Sequence, residues 1–190
     1  MTKPCLPPEL LHQLLRYEPD TGRLFWRERP VSMFEDSKHS AAHKAARWNA
    51  RYAGKEALTA DNGNGYRYGA IFDVHYKAHR VAWVMANGRW PDELIDHING
   101  NSLDNRLCNL REATRSQNQW NAGSRGNSSI YIGVSWDNRR SKWKVQISAL
   151  KQKMQLGSFD DEMAAAAAYD IAARKLHGAF AKVNFAEVAG

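Results

Sequence analysis

Leu10, Leu11, Leu14 and Leu15 recur at the three- and four-residue spacings of one helical face, which predicts a helix over about residues 8–16. The run YEPDTG (17–22) gathers Pro, Asp, Thr and Gly and reads as a turn, and RLFWR (23–27) as a short strand. Residues 30–53 carry no clear period. Their Ala-, His- and Arg-rich segment SKHSAAHKAARWNARYAG fits either a helix or a mobile basic loop. NGNG at 62–65 is a turn signal between strand-like stretches, and the strands at 66–74 and around Tyr76 pair across the next turn. Val81, Val84 and Met85 mark a helix over 78–87 that stops at Asn87-Gly88. After a dense polar segment (95–121), AGSRGNSS (122–129) reads as a linker. Three strand-like runs follow at 131–136, 142–147 and 153–159, the second and third with period-two alternation. A last helix is expected from about 161 to 177, capped by Asp160 or Asp161, with Ala165, Ala168, Ala172 and Leu176 along its inner stripe.

Composition narrows the class. The chain has 190 residues, 43% hydrophobic and 25% charged, which is globular usage. Lys and Arg number 27 against 20 Asp and Glu, a net +7 that favours a polyanionic partner. Cys5 and Cys108 cannot build a disulfide framework or a four-cysteine zinc site, so a reducing, cytoplasmic setting is expected. No apolar run is long enough to span a membrane, and MTKPCLPPELLHQ lacks a secretory layout.

The chemistry concentrates in IDHINGNSLDNRLCNLREATRSQNQWN. Asp96-His97 follows a short apolar pair, as at a strand end, and NGNSLDN has the composition of a tight loop. Thr114 and Gln117 fit a capping box, which puts Asn118 in the first turn of a helix. Asp96 and Asn118 offer hard oxygens suited to Mg²⁺ rather than zinc. His97 titrates near neutrality and can act as a general base. Adjacent strand residues face opposite ways, so Asp96 and His97 need a loop or bulge to serve one centre. His79 and Cys108 read as structural and buried. His39 and His43 read as a solvated basic face, and Phe25, Trp26 and Trp48 as core.

These residues resemble the HNH endonucleases, in the phage-type homing-endonuclease branch: Asp96-His97, then Asn109 twelve residues after His97, then Asn118 nine further on, with NGN, DN and NLR as flanks. The resemblance implies a ββα-metal module in which His97 activates water and Asn109 pins the loop. Asp96 and Asn118 would hold one divalent cation, Mg²⁺ with Mn²⁺ as the alternative and no zinc. Arg80, Arg106, Arg111 and Arg115 are candidate phosphate contacts.

Residues 127–160 hold six Lys or Arg against two acids, and their alternation gives one apolar and one basic, amide-bearing sheet face. IGVSWDNRRSKWKVQI, LGSFD, AAAAYDIAA, HGAFA and VNF resemble the plant-type APETALA/ethylene-response-factor DNA-binding domain over about 130–186. That resemblance implies a three-stranded antiparallel sheet packed on one helix. Its DNA-facing candidates are Ser135, Arg139, Lys144, Gln146, Lys153 and Gln155, with Ser, Gln and Lys where plant domains carry Arg or Trp.

The expectation is therefore an α+β protein: a lead-in (1–60), a nuclease module (61–122), a linker (123–129) and a DNA-binding domain (130–186). It would hydrolyse double-stranded DNA with a divalent cation, as a nick if it acts as a monomer, and is expected to be a monomer or weak dimer. A non-catalytic, sequence-specific regulator with a degenerate nuclease module is the alternative, and RNA binding a third reading.

Overall fold

The computed structural model describes residues 5–61, 63, 65–122, 128–149 and 152–185. The chain divides into two compact units, one ending at Glu112 and the other beginning at Ala113. The expected boundaries at 60/61 and 122/123 do not coincide with this division, because the N-terminal segment shares a core with the residues that follow it.

In the first unit, α1 (Pro8–Leu14) starts with proline in its first turn and buries Leu11 and Leu14. It ends earlier than the leucine spacing predicts. Leu15 is already extended and opens β1 (Leu15–Glu18), which pairs antiparallel with β2 (Arg23–Trp26), Leu15 opposite Trp26 and Glu18 opposite Arg23. Pairing claims Leu15 for a strand while keeping it fully buried.

The ambiguous 30–53 segment contains a helix, α2 (Ala41–Tyr52), because Ser40 caps it by accepting from the His43 N–H. β3 (Ala60–Asp61), β4 (Arg67–Ile71) and β5 (Val74–Lys77) form an antiparallel sheet in that order. α3 (Ala78–Asn87) follows directly and ends as expected, at Gly88 in the left-handed conformation. Leu11, Leu14, Leu15, Leu24, Ala57, Leu58, Ile71, Tyr76, Val81 and Val84 make one core cluster. The short strands β6 (Leu94–His97) and β7 (Leu110–Ala113) pair beside it, over a smaller cluster of Ala82, Ile95 and Leu110.

The second unit begins with α4 (Arg115–Trp120), capped by the expected Thr114–Gln117 box. Trp120 stacks flat on His177 at 4.5 Å, and the His177 Nε2 donates to the Ser148 carbonyl. β8 (Val134–Asp137), β9 (Lys142–Ala149) and β10 (Gln152–Phe159) form an antiparallel sheet with β9 in the centre. α5 (Glu162–His177) packs on its inner face, with Asp161 as the cap.

Several expectations need correction. The inner stripe of α5 is Ala165, Ala166, Tyr169 and Ala173; of the expected row Ala165 is buried and Ala172 packs partly buried against the cluster, while Leu176 is 37% exposed. The sequence shows alanine on both rows, and the large Tyr169 sets the rotation by lying against Gly133, whose Cβ would meet its ring at 2.1 Å. A bulge between Gln155 and Gly157 breaks the alternation in β10. Cys108 is exposed, since it lies in a 3₁₀ turn (Leu107–Asn109) rather than in a core-facing strand. Within the expected linker, residues 123–127 lie outside the described residues. Ser128 and Ser129 accept backbone N–H groups of Trp136 and Tyr131, so they belong to the packed unit.

Asp170 is 2% exposed on α5 and accepts from the Asn184 N–H, the Asn184 side-chain amide and the Phe185 N–H. It ties the C-terminal segment to the helix. Asp170→Ala leaves these donors without their acceptor and should cost about 3 kcal/mol. Urea unfolding of the second unit, read from its near-ultraviolet signal, measures this.

Candidate active site

β6 carries Asp96 and His97 into the interior, 4% and 5% exposed. The chain then turns sharply, with the Gly100 N–H donating to the His97 carbonyl. Asn109 closes the loop that follows. Its Oδ1 accepts from the Asn99 N–H at 2.9 Å, its Nδ2 donates to the Asp104 carbonyl at 2.7 Å, and its own carbonyl accepts from Ile98. Local side-chain bonds between Asn99, Asn101 and Asp104 fill in the rest. A segment rich in Asn therefore folds as a self-bonded loop rather than extending the strand.

The His97 Nε2 lies 3.0 Å from the Asn105 Oδ1. An amide oxygen can only accept, so Nε2 carries the proton and the ring lone pair resides on Nδ1. Asn105 is itself 4% exposed, and its carbonyl accepts from the Tyr17 hydroxyl at 2.7 Å. The neighbouring Leu107 N–H donates to the Pro19 carbonyl. Gly22, at φ +73°, presses against this loop so closely that a Cβ would meet the Asn105 and Arg106 backbone at 2.5 Å. The β1–β2 hairpin thus braces the loop that fixes His97. Sequence reasoning assigned the hairpin no chemistry and missed Tyr17, Gly22 and Asn105. The DN flank was the one available signal for Asn105.

His79, 5% exposed at the start of α3, meets His97 edge to face at 5.3 Å, and Tyr66 flanks both rings. Burial, then the neighbouring His97, Lys77 and Arg80, pushes the His79 pKa down to about 3. Burial also lowers the pKa of His97, against opposing pulls from Asn105, Asp96 and Asp104. Both imidazoles are neutral at pH 7, the state a general base requires.

Asp96 and His97 reach different partners, as adjacent strand residues should. The Asp96 Oδ2 accepts from both Nε and Nη2 of Arg111 at 2.8 Å, which neutralises the buried carboxylate. Of the four arginines expected to contact phosphate, Arg111 is thus engaged inside the site. Arg80 donates to the Pro91 and Glu93 carbonyls, and Arg106 pairs with Asp104. Arg115 is exposed in the first turn of α4, and Asn118, half-buried, lies one turn on with its N–H donating to the Thr114 carbonyl. Asn118 therefore belongs to the second unit, and Asp96, His97 and Asn109 to the first.

Among the described residues, no cluster of three or more His, Cys, Asp or Glu could hold a metal ion. The carboxylate of Asp96 suits a hard cation whose remaining shell comes from phosphate and water. Arg111 shares the Asp96 carboxylate with any such ion.

In the second unit, Ser135 pairs in register with Lys144, Gln146 with Gln155, and Ser148 with Lys153. Directly opposed residues share a face, so five of the six expected DNA-facing residues lie together, opposite the buried Val134, Val145 and Ile147. Arg139 sits instead in the β8–β9 turn, its N–H held by Asp137.

The family model for the HNH endonucleases matches residues 76–120. Protein 3.8 of Escherichia phage T7 is 38% identical over 112 residues, which are 56% of this chain and 92% of that protein. The chain belongs to the HNH endonuclease family. It also resembles plant AP2-like proteins. APETALA2-like protein 2 of Oryza sativa subsp. indica is 43% identical over 63 residues, 33% of this chain and 14% of that protein. The AP2-like ethylene-responsive transcription factor ANT of Arabidopsis thaliana is 26% identical over 155 residues, 73% of this chain and 27% of that protein. This HNH-family chain carries an AP2-like domain, the sheet-helix of its second unit. No helix among its described residues is long and apolar enough to cross a membrane.

Two outcomes follow for this HNH chain. Gly22→Ala forces backbone against backbone at a left-handed position and should destabilise the first unit by about 2 kcal/mol. Urea denaturation measures this, and amide hydrogen exchange should show loosening at 104–109. For His79 the folded pKa lies below the unfolded value near 6.5, so its contribution to stability is full above pH 6.5 and is lost as pH falls toward 3. The slope is about 1.4 kcal/mol per pH unit within that window. His79→Phe should flatten it in stability curves taken across the acid range.

Proposed function

We propose that the chain is a divalent-metal-dependent DNA endonuclease that nicks duplex DNA, with the AP2-like domain as a second DNA contact. The observation that carries this reading is the buried His97, kept neutral by its burial and oriented by Asn105 in a loop clamped by Asn109.

The His97 Nδ1 takes a proton from the water that attacks phosphorus, the P–O3′ bond breaks, and the leaving 3′ oxygen takes a proton from solvent. The ends are then a 3′-hydroxyl and a 5′-phosphate. Asn105 prevents the imidazole from rotating as it becomes charged, and Asn109 keeps the 98–109 loop at a fixed distance from the strand. Asp96 would hold a divalent ion, Mg²⁺ or Mn²⁺, with Asn118 proposed as its further oxygen ligand on the strength of the motif spacing. When bound, such an ion supplies electrostatic stabilisation of charge on the phosphoryl and leaving oxygens. Arg111 supports Asp96 by pairing with its buried carboxylate and orienting it. The face bearing Ser135, Lys144, Gln146, Lys153 and Gln155, with Arg139 in the adjoining turn, binds duplex DNA. Lysine there contacts phosphate and gives affinity without sequence information. Tethering two DNA contacts on one chain raises the effective concentration of each.

One observation favours the non-catalytic DNA-binding reading: the guanidinium of Arg111 already occupies the Asp96 carboxylate. Supercoiled plasmid incubated with Mg²⁺ or Mn²⁺ separates the two. The nuclease reading expects relaxed circles, a rate that falls as pH drops below the ordinary imidazole range, and a loss of about 10²- to 10⁴-fold in His97→Ala. Retarded duplex DNA with no cleavage under either ion would establish the regulator instead.

A further inference from the structure

The first unit has a second feature that the nuclease reading leaves unused. A cavity of about 380 Å³ is lined by Trp26, Arg29, Trp48, Tyr52, Phe72 and Asp73. Its walls are aromatic. Trp26 meets Trp48 edge to face at 5.6 Å, and Trp48 meets Tyr52 at 5.2 Å. The guanidinium carbon of Arg29 lies 3.9 Å from the Trp48 ring centre, 4.9 Å from that of Phe72 and 5.3 Å from that of Trp26.

Arg29 is 9% exposed, yet its Nε–H has no acceptor. Among the described residues it forms no ion pair. Its backbone is fixed, because the N–H donates to the Asn49 Oδ1 and the carbonyl accepts from the Asn49 Nδ2. The three rings face its charge, yet among the described residues no ion pair or hydrogen-bond acceptor completes the guanidinium, which suits a ligand with a π-face and acceptor atoms. Phe72 points the same way. It is 46% exposed and sits with Asp73 at positive φ in the two-residue β4–β5 turn, where Asn and Gly are strongly preferred. Neither burial nor turn propensity accounts for a phenylalanine there.

The surroundings define the ligand. Flat aromatic walls suit a flat π-system, and the Arg29 Nε–H suits a ring nitrogen or carbonyl oxygen. Asp73 disfavours a bare phosphate and can accept from an exocyclic amine. Arg47 and Arg51, exposed on the helix that supplies Trp48 and Tyr52, attract a polyanion. We propose that this cavity receives one unstacked nucleobase of a DNA strand, packed against the exposed Phe72 ring and beside the Arg29 guanidinium. The sequence expectation that placed Trp26 and Trp48 in the core is met in part: Trp26 packs on the core cluster, and Trp48 is half-buried beside the cavity. That the base comes from DNA rests on the nuclease reading, whereas none of the residues involved belongs to the His97 site.

The test uses the full chain in chelator, so that no cleavage intervenes. Fluorescence anisotropy compares a short labelled single-stranded oligodeoxycytidylate with an abasic strand of the same length. Wild type should bind the base-bearing strand about ten-fold more tightly. Phe72→Gly, which removes an exposed ring at a position that suits glycine, should abolish the preference, and so should Arg29→Gln. Circular dichroism verifies that Phe72→Gly is folded. Equal binding of the two strands by wild type, or a preference that survives in folded Phe72→Gly, would overturn the proposal. A plasmid assay run in parallel keeps the readings apart. A preference lost in Phe72→Gly without any nicking by wild type supports the pocket and contradicts the nuclease. Nicking without a preference does the reverse.

Discussion

The hydrogen bond between the His97 Nε2 and the Asn105 Oδ1 is the constraint on which the site depends. By itself it is worth about 1 kcal/mol, no more than any buried neutral pair. Its weight comes from what holds Asn105 in place. The Tyr17 hydroxyl fixes its carbonyl, Gly22 admits its backbone, and Asn109 closes the loop on the other side. Each is a local consequence of a small polar residue or a glycine in a tight space. Together they aim one imidazole and fix its tautomer before any substrate arrives, which is preorganisation in the sense that matters for a base.

Burial does the electrostatic work. His97 and His79 lie in contact, away from water, where two imidazolium ions would repel and neither could be solvated. Keeping both neutral leaves His97 able to accept a proton at ordinary pH, as the proposed base requires. Asp96, one residue away, is handled differently: its buried carboxylate is paired with Arg111. The same strand thus delivers a neutral acceptor and a compensated anion to opposite sides, the alternation of a β-strand put to chemical use.

The motif residues were legible because their spacing is set by short local structures. A strand end places Asp96 and His97, a pinned loop places Asn109, and a capping box places Asn118. The alternation around Val145 and Ile147 likewise revealed the face that carries Lys144 and Gln146. Contacts between residues far apart in the chain were not legible. Nothing in YEPDTG announces that Tyr17 and Gly22 bear on a loop more than eighty residues away. The stripe of α5 was misjudged because alanines on both rows leave no apolar contrast, and one tyrosine decides the rotation. Arg111 was assigned to phosphate because sequence cannot show that a nearby carboxylate has claimed it.

Nitrogen-15 spectra of the His97 imidazole test the central claim most directly. The account predicts a neutral ring at pH 7 with its proton on Nε2, titrating below the ordinary imidazole range, and loss of that tautomer preference in Asn105→Ala. A ring that is protonated at neutral pH, or a neutral ring with its proton on Nδ1, would contradict it.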